Sequence, residues 1–299
     1  MKLVTDPLCQ ESAVALGLFD GVHLGHRRVL AAAAGGREQG LVPCAFTFDT
    51  ETLPRKHGKP FACLYTQSHK LTLLRECGME AVYAPSFAAL QEMDGAAFCG
   101  EILCKKLRAK RVFCGRDFRF GRGAGWGFEE LCTFGAEMGF SVHEIEPVLL
   151  GGEKVSSTRI RAALKEGQPR EAALLLGRPY AVTGAVMHGK ALGRTISFPT
   201  INQHFVKGQL VPKHGVYISR VHTPLGTFRG LTNVGIKPTV SEEKIPLAET
   251  HLLDFQGDLY GAACSTELLE FLRPEQKFES IDALRRAIAQ DRERAQAFL

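Results

Sequence analysis

Two histidines in a glycine turn are the first residues of this chain whose types and spacing could do chemistry. His23 and His26 lie within Gly17-Leu18-Phe19-Asp20-Gly21-Val22-His23-Leu24-Gly25-His26. An apolar run over 14–19 leads in and an Arg- and Ala-rich segment follows, so the order reads as strand, tight turn and helix N-terminus. A helix start presents backbone N–H groups and a positive dipole end, and both favour phosphate. Gly17, Gly21 and Gly25 let backbone come close to such a ligand. The Lys-Ser/Thr of a P-loop does not follow.

Three further segments carry reactive types. Ser156, Ser157 and Thr158 put hydroxyls at a second helix start, with Arg161 adding a fixed positive fork. Cys114-Gly115-Arg116-Asp117-Phe118-Arg119-Phe120-Gly121 ends a strand in a glycine-flanked loop. An aromatic in such a loop can stack on a planar ligand. Its two phenylalanines alternate, so one of them is expected to pack into the core. Finally, the stretch 184–202 is glycine-rich and holds Gly189, Lys190, Gly193 and Arg194, a composition that wraps phosphates with backbone N–H groups.

The elements that must position these residues divide the chain in two. In the first half, strands are predicted at 14–19, 42–48, 81–84, 111–114 and 140–145, with helices at 25–39, 67–76, 95–107 and 128–138. Alternation of this kind predicts a doubly wound parallel sheet with ligands beyond the carboxyl ends of its strands. Gly35 and Gly36 each cost about 1 kcal/mol in a helix interior, so the first helix is expected to end early. A helix from 156 to about 166 and another over 170–176 precede a linker-like Gly177-Arg178-Pro179. Beyond Tyr180, short runs rich in Val, Ile, Tyr and Thr are cut by Gly and Pro. The runs 180–187, 215–222, 226–234, 249–255 and 262–272 predict an antiparallel barrel or sandwich. A last helix over 280–296 is capped by Ser280, with Ile281, Leu284 and Ile288 as an apolar stripe. Domains are therefore placed at 1–178 and 179–299.

Composition limits the choice of partner. A length of 299 residues favours two domains. The net charge of +5 suits small anionic substrates and is too weak to argue for nucleic acid. No apolar run reaches the roughly 18–20 residues of a membrane span, and the first residues contain no signal-peptide core, so a cytoplasmic protein is expected. Nine cysteines without a C-x-x-C pair are expected to be reduced and mostly buried rather than zinc ligands.

Taken in order, the first-half motifs carry a resemblance. The glycine–histidine turn is similar to the HxGH signature of the nucleotidyltransferase superfamily. Followed by Thr47-Phe48, Gly115-Arg116-Asp117-Phe118-Arg119-Phe120-Gly121 and Ser156-Ser157-Thr158-Arg159-Ile160-Arg161, it resembles the FMN adenylyltransferase module of the bacterial riboflavin kinase/FAD synthetase family. The resemblance spans residues 12–165. It implies that a phosphate oxygen of FMN attacks the α-phosphorus of ATP and pyrophosphate leaves, a displacement that needs positioning and charge neutralisation. By it, His23, His26 and Arg161 are catalytic; Gly17, Phe19, Asp20, Gly25, His26, Ser156, Ser157, Thr158 and Arg161 bind ATP; and Asp117, Phe118 and Arg119 hold the flavin. For Asp20 the residues leave two roles open, holding the turn or binding nucleotide. Two positions depart from the family: Asp49-Thr50-Glu51 replaces a proline-containing segment, and Trp126 stands near a glycine where a polar residue is usual.

The second half resembles the riboflavin kinase module of the same family over 178–295. The match runs from Gly184 through Phe198-Pro199-Thr200-Ile201-Asn202, then Gly215-Val216-Tyr217, Asn233-Val234-Gly235, Glu249-Thr250-His251, Leu259-Tyr260-Gly261 and Arg273 to Phe278. It implies that Gly189, Lys190, Gly193, Arg194, Thr200 and Asn202 bind ATP, with Thr200 and Asn202 holding Mg²⁺ through hard oxygens. Glu249 is then the general base for the ribityl hydroxyl as it attacks the γ-phosphate. His251 is read as structural and Asp254 as an unassigned carboxylate, while Ser197 replaces the family's Gly before Phe-Pro-Thr. The whole chain is thus expected to be a two-step flavin enzyme that uses ATP and Mg²⁺, with riboflavin, FMN and FAD as substrates or products. A flavin-binding regulatory protein and an adenylyltransferase for another acceptor are the alternatives.

Overall fold

The computed structural model describes residues 1–54, 61–187, 200–236 and 246–298. It forms two compact units, Met1–Ser157 and Thr158–Leu299.

The first unit holds β1 (Lys2–Leu3), β2 (Ser12–Leu16), α1 (Leu24–Ala34), β3 (Val42–Phe46), α2 (Gln67–Glu76), β4 (Ala81–Tyr83), α3 (Phe87–Leu90) and α4 (Gly95–Ala97). A π-helical stretch, Phe98–Lys106, continues α4. Then come β5 (Ala109–Cys114), α5 (Phe128–Met138), β6 (Ser141–Glu144), and a small hairpin of β7 (Leu149–Leu150) and β8 (Glu153–Lys154). The main sheet has the order β1-β4-β3-β2-β5-β6, and each of its pairings is parallel. From β2 the chain winds outward through β3 and β4, then returns to place β5 on the other side of β2. The order therefore reverses between β2 and β5, and at such a switch point loops splay apart and leave a crevice. β2 is buried along its whole length, as a strand covered on both faces must be.

The early helix end arrives as expected. α1 stops at Ala34, and Gly35–Gln39 tightens into a 3₁₀ turn closed by Gly40 at φ +73°. Packing demands this glycine pair's second member: a Cβ on Gly36 would lie 2.4 Å from Ala13 Cβ on β2. The first strand is shorter than predicted, because 17–19 bend away into the turn instead of extending the ladder. The core beneath the sheet includes Val14, Leu16, Phe46, Phe98, Leu103, Val112, Phe120 and Leu131. Each large side chain buried there contributes about 1.5–3 kcal/mol.

The second unit begins inside α6 (Ser157–Glu166) and includes α7 (Pro169–Leu176), β9 (Tyr180–Ala185), β10 (Thr200–His204), β11 (Gly215–Thr223), β12 (Gly226–Ile236), β13 (Pro246–Leu252), β14 (Ala263–Arg273) and α8 (Ile281–Ala297). The sequence reading puts the junction at 178/179, on the linker-like composition. By contact the division falls after Ser157, because α7 packs on β9 and β14. The sheet order is β10-β13-β12-β11-β14-β9, antiparallel throughout. Its edges meet where Met187 N donates to Asn202 O at 2.8 Å, so the sheet curls toward a barrel. Gln203 reinforces the seam: Nε2 donates to Cys264 O at 2.9 Å and to Gly184 O at 3.2 Å, while Thr266 Oγ1 donates to its Oε1 at 2.6 Å. Inside, Thr232 Oγ1 donates to Ser219 Oγ and pairs with Thr250 Oγ1, each at 2.8 Å. A buried polar row of this kind is stable only because its members satisfy one another.

β10 is the strand that the pattern reading missed. Its first three residues close the glycine-rich stretch 184–202, and five residues after a Pro are too few for a periodic signal. The anchor of α8 is a second departure. Ser280 does cap the helix, accepting from Ala283 N at 3.1 Å. The buried residues of the helix, however, are Ala295, which packs with Ile218 and Leu231, and Asp291, whose carboxylate accepts from Arg273 on β14, Nη2 at 2.7 Å and Nε at 3.0 Å. Removing one partner strands a buried charge. Asp291→Ala should therefore destabilise the second unit by about 3 kcal/mol. Chemical denaturation checks it; a midpoint equal to wild type would mean that Arg273 finds water instead.

Candidate active site

Two loops leave the carboxyl edge of the first sheet at its switch point, one after β2 and one after β5. The β2 loop is strained. Phe19 and Val22, both non-glycine, sit at φ 50° and 42°, with Gly21 at 87° between them. Such backbone costs about 1–3 kcal/mol per residue and persists only where the surroundings over-determine it. Here they do. The Phe19 ring is folded over Gly17, where a Cβ would lie 2.9 Å from Phe19 Cε1. Asp20 is buried; its Oδ1 accepts from Leu64 N at 2.8 Å, and its carbonyl accepts from Ser157 Oγ at 2.7 Å. Of the two roles left open for Asp20, this geometry serves the holding of the turn. Phe19 is 1% exposed, so a nucleotide could meet its backbone but not its ring.

The strained turn delivers the histidines as a pair. His23 is the N-cap of α1, and its Nδ1 accepts from His26 N at 3.3 Å. That bond assigns the His23 proton to Nε2. The two imidazoles stack with centroids 3.6 Å apart and planes 17° apart, and Phe19 supports His26 edge-on at 5.4 Å. Gly25 makes room for the stack, since its Cβ would lie 3.2 Å from His23 Cε1. Ser157 is brought to this turn by its hydroxyl, which donates to Asp20 O, and Ser156 precedes it in the chain. Thr158 and Arg161 follow on α6.

The β5 loop is built around an aromatic stack. Phe120 is buried and Phe118 half-buried, their rings 5.9 Å apart and 15° from parallel. The expected inward phenylalanine is Phe120. Asp117 is exposed and paired with Lys154 Nζ at 2.6 Å, so its carboxylate is committed to an ion pair on the surface. Arg119 lies against Gly127, where a Cβ would come within 2.8 Å of Nη1. Trp126 closes the loop through its Phe120 bridge and lies flat against Gly95 and Gly121, with would-be Cβ atoms 2.6 Å and 2.4 Å from the indole. The position that departs from the family is therefore a packing site, built with two glycines beneath it.

In the second unit Glu249 stands on β13, between Asn202 on β10 and Asn233 on β12. Directly opposed residues share a face, so these three side chains lie together, and Thr200, two residues from Asn202, joins them. Thr200 Oγ1 donates to Glu249 Oε1 at 2.9 Å. A hydroxyl that gives its proton to a carboxylate keeps lone pairs for a cation. With the Asn202 amide oxygen, the donor pair is hard oxygen, which fits Mg²⁺. Asn233, which the sequence offers only as part of the Asn233-Val234-Gly235 match and without a role, donates from Nδ2 to Glu275 Oε1 at 2.9 Å. Its place beside Glu249 comes from the register of β12 on β13. His251 lies opposite Thr200, and Asp254, at φ 59°, pairs with Arg292. Gly189, Lys190, Gly193 and Arg194, together with Ser197, lie outside the described residues. Among the described residues no cluster of three His, Cys, Asp or Glu could hold a metal, and all nine cysteines are free thiols, five of them buried.

Comparison with known proteins agrees with both halves. Residues 6–159 match the family model for FAD synthetase, and residues 176–299 match that for riboflavin kinase. A bifunctional riboflavin kinase/FMN adenylyltransferase of Escherichia coli is 39% identical over 298 residues, 97% of this chain and 93% of that protein. One from Pseudomonas fluorescens is 35% identical over 92% of this chain and 89% of that protein. Among solved structures, a macrolide-efflux protein from Streptococcus pneumoniae superposes with a TM-score of 0.86 at 30% identity, over 98% of this chain and 96% of that one. No described helix of this chain is long and apolar enough to cross a membrane.

Proposed function

Because the chain belongs to the bifunctional riboflavin kinase/FMN adenylyltransferase family, we propose a division of its residues between two ATP-dependent steps. It phosphorylates riboflavin to FMN and adenylates FMN to FAD. Residues 1–178 carry the second step and 179–299 the first.

For adenylyl transfer, the observation that carries the reading is the stacked His23–His26 pair at the N-terminus of α1. His23 Nε2 and the His26 ring donate to triphosphate oxygens, where charge builds as the FMN phosphate oxygen bonds to the α-phosphorus and the bond to pyrophosphate breaks. Ser156 and Thr158 offer hydroxyls, and Arg161 a bidentate cation, to the same phosphates. Gly17 and Gly25 admit the nucleotide, with Phe19 and Asp20 shaping its bed. The flavin rests by the β5 loop, with Phe118 as the aromatic surface and Asp117 and Arg119 at its rim.

For phosphorylation, the carrying observation is the Thr200–Glu249 bond. Glu249 takes the proton of the ribityl 5′-hydroxyl as that oxygen attacks the γ-phosphate. Thr200 orients the carboxylate, and Thr200 and Asn202 would hold Mg²⁺ with ATP. Bound there, the ion would neutralise charge on the phosphates. Gly189, Lys190, Gly193 and Arg194 bind the phosphates of this second ATP. The nine free thiols and the ATP requirement of both steps support a reducing, cytoplasmic setting.

A time course tests the division. With riboflavin, ATP and Mg²⁺, FMN should rise first and then fall as FAD accumulates, and chelating the metal should stop both. FAD appearing without prior FMN, or FMN that never becomes FAD, would break the assignment.

A further inference from the structure

Lys70, on α2, has no part in the chemistry above, yet it is only 1% exposed. Its Nζ donates to Phe48 O at 2.7 Å and to Thr47 Oγ1 at 3.1 Å. Thr47 Oγ1 donates in turn to Leu18 O at 2.8 Å. The chain of bonds runs from α2 to the residues after β3, and from there into the strained turn after β2. Around it the backbone is tied as well, Gly17 N to Phe46 O at 3.2 Å and Thr47 N to Tyr83 O at 3.0 Å. α2 is latched to the same segment a second time, Thr50 N and Oγ1 both donating to Gln67 Oε1, at 3.2 and 3.1 Å.

An apolar side chain of the same length would fill this volume with no charge to desolvate, so packing does not account for an ammonium here. The charged and titratable groups that face it are Asp20 from the turn, Asp49 beyond β3 and Cys63 ahead of α2. We propose that Lys70 is a positioning residue for adenylyl transfer: its ammonium fixes Thr47 and Phe48 against the turn that carries His23. The inference rests on the reading of that turn as the triphosphate site.

The charge gives the proposal a signature. Burial brings Lys70 down to about 8 from its ordinary 10.5, against the pull of Asp20, Cys63 and Asp49. Losing the proton turns two charge-assisted bonds into weaker neutral ones. FAD formation should therefore fall as pH rises through about 8, while FMN formation by the same molecules does not follow it. Unfolding would not mimic this. Between about 8 and 10.5 the unfolded chain holds the extra proton, so this group's contribution to stability increases with pH.

The test uses the full chain with Lys70→Met and Thr47→Val, assayed for FAD formation from FMN and for FMN formation from riboflavin on both sides of pH 8. In Lys70→Met, kcat for FAD formation should fall about ten- to a hundredfold, the scale of a displaced catalytic group. FMN formation should hold within about twofold of wild type, and the alkaline fall in FAD formation should vanish. A folded Lys70→Met with wild-type FAD formation overturns the proposal, as does one that keeps the wild-type alkaline fall. If Lys70→Met does not fold, Thr47→Val decides: lowered FAD formation with intact FMN formation supports the link, and an unchanged rate overturns it. A silent His26→Ala beside an impaired Lys70→Met would instead remove the reading of the turn.

Discussion

Glu249→Gln should lose FMN formation by about 10²–10⁴-fold in kcat, the range expected when a general base is removed. The substitution is chosen for what it keeps. The amide oxygen can still accept the Thr200 hydroxyl, which lies 2.9 Å from Glu249 Oε1, so the β10–β13 pairing and the placement of Thr200 survive. Only the capacity to take a proton goes. KM for riboflavin should accordingly change little, because the interaction lost is made in the transition state. FAD formation from supplied FMN should stay at wild-type rate, since none of the residues proposed for that step lies on β10 or β13. Initial rates of both steps on one preparation measure this. A Glu249→Gln enzyme that makes FMN as fast as wild type would pass the role of base to another group.

The second large effect is expected at His26. His26→Ala should slow FAD formation by about 10²–10³-fold, the usual consequence of deleting one preorganised donor to developing charge. Alanine is the best helix former, and His26 is the third residue of α1, so the helix should persist. His23 needs a different probe, because its ring also caps the helix by accepting from His26 N. His23→Asn retains a cap and loses the Nε2 donor, whereas His23→Ala also forfeits about 1 kcal/mol of capping. Comparable loss in His23→Asn and His26→Ala, with unfolding midpoints near wild type, would show that both rings act on the triphosphate. A His26→Ala enzyme with an undiminished rate of FAD formation would move the charge stabilisation to Arg161 and the α6 start. FMN formation is the internal control, and it should not change.

Much of this is legible in the sequence. Short-range signals carry the strand–turn–helix around His23, the early stop at Gly35 and the Ser280 cap, because glycine, capping hydroxyls and apolar period act within a few residues. The order of the motifs pointed to both chemistries. β10 is hidden because five residues after a Pro carry no period of their own, and the placing of Asn233 beside Glu249 because it needs the register of β12 on β13.

By itself, then, the sequence determined two modules, the motif residues of each and the reaction that these residue types suit. The tertiary structure alone decided how those residues are held. It set Phe19 and Asp20 to shaping the turn, put Trp126 on Gly95 and Gly121, anchored α8 by Asp291 and Arg273, and buried Lys70 against Thr47 and Phe48. The physical reason is one of range. Turn, cap and period energies come from neighbours along the chain, whereas burial, register and the desolvation of a charge depend on residues that only folding brings together.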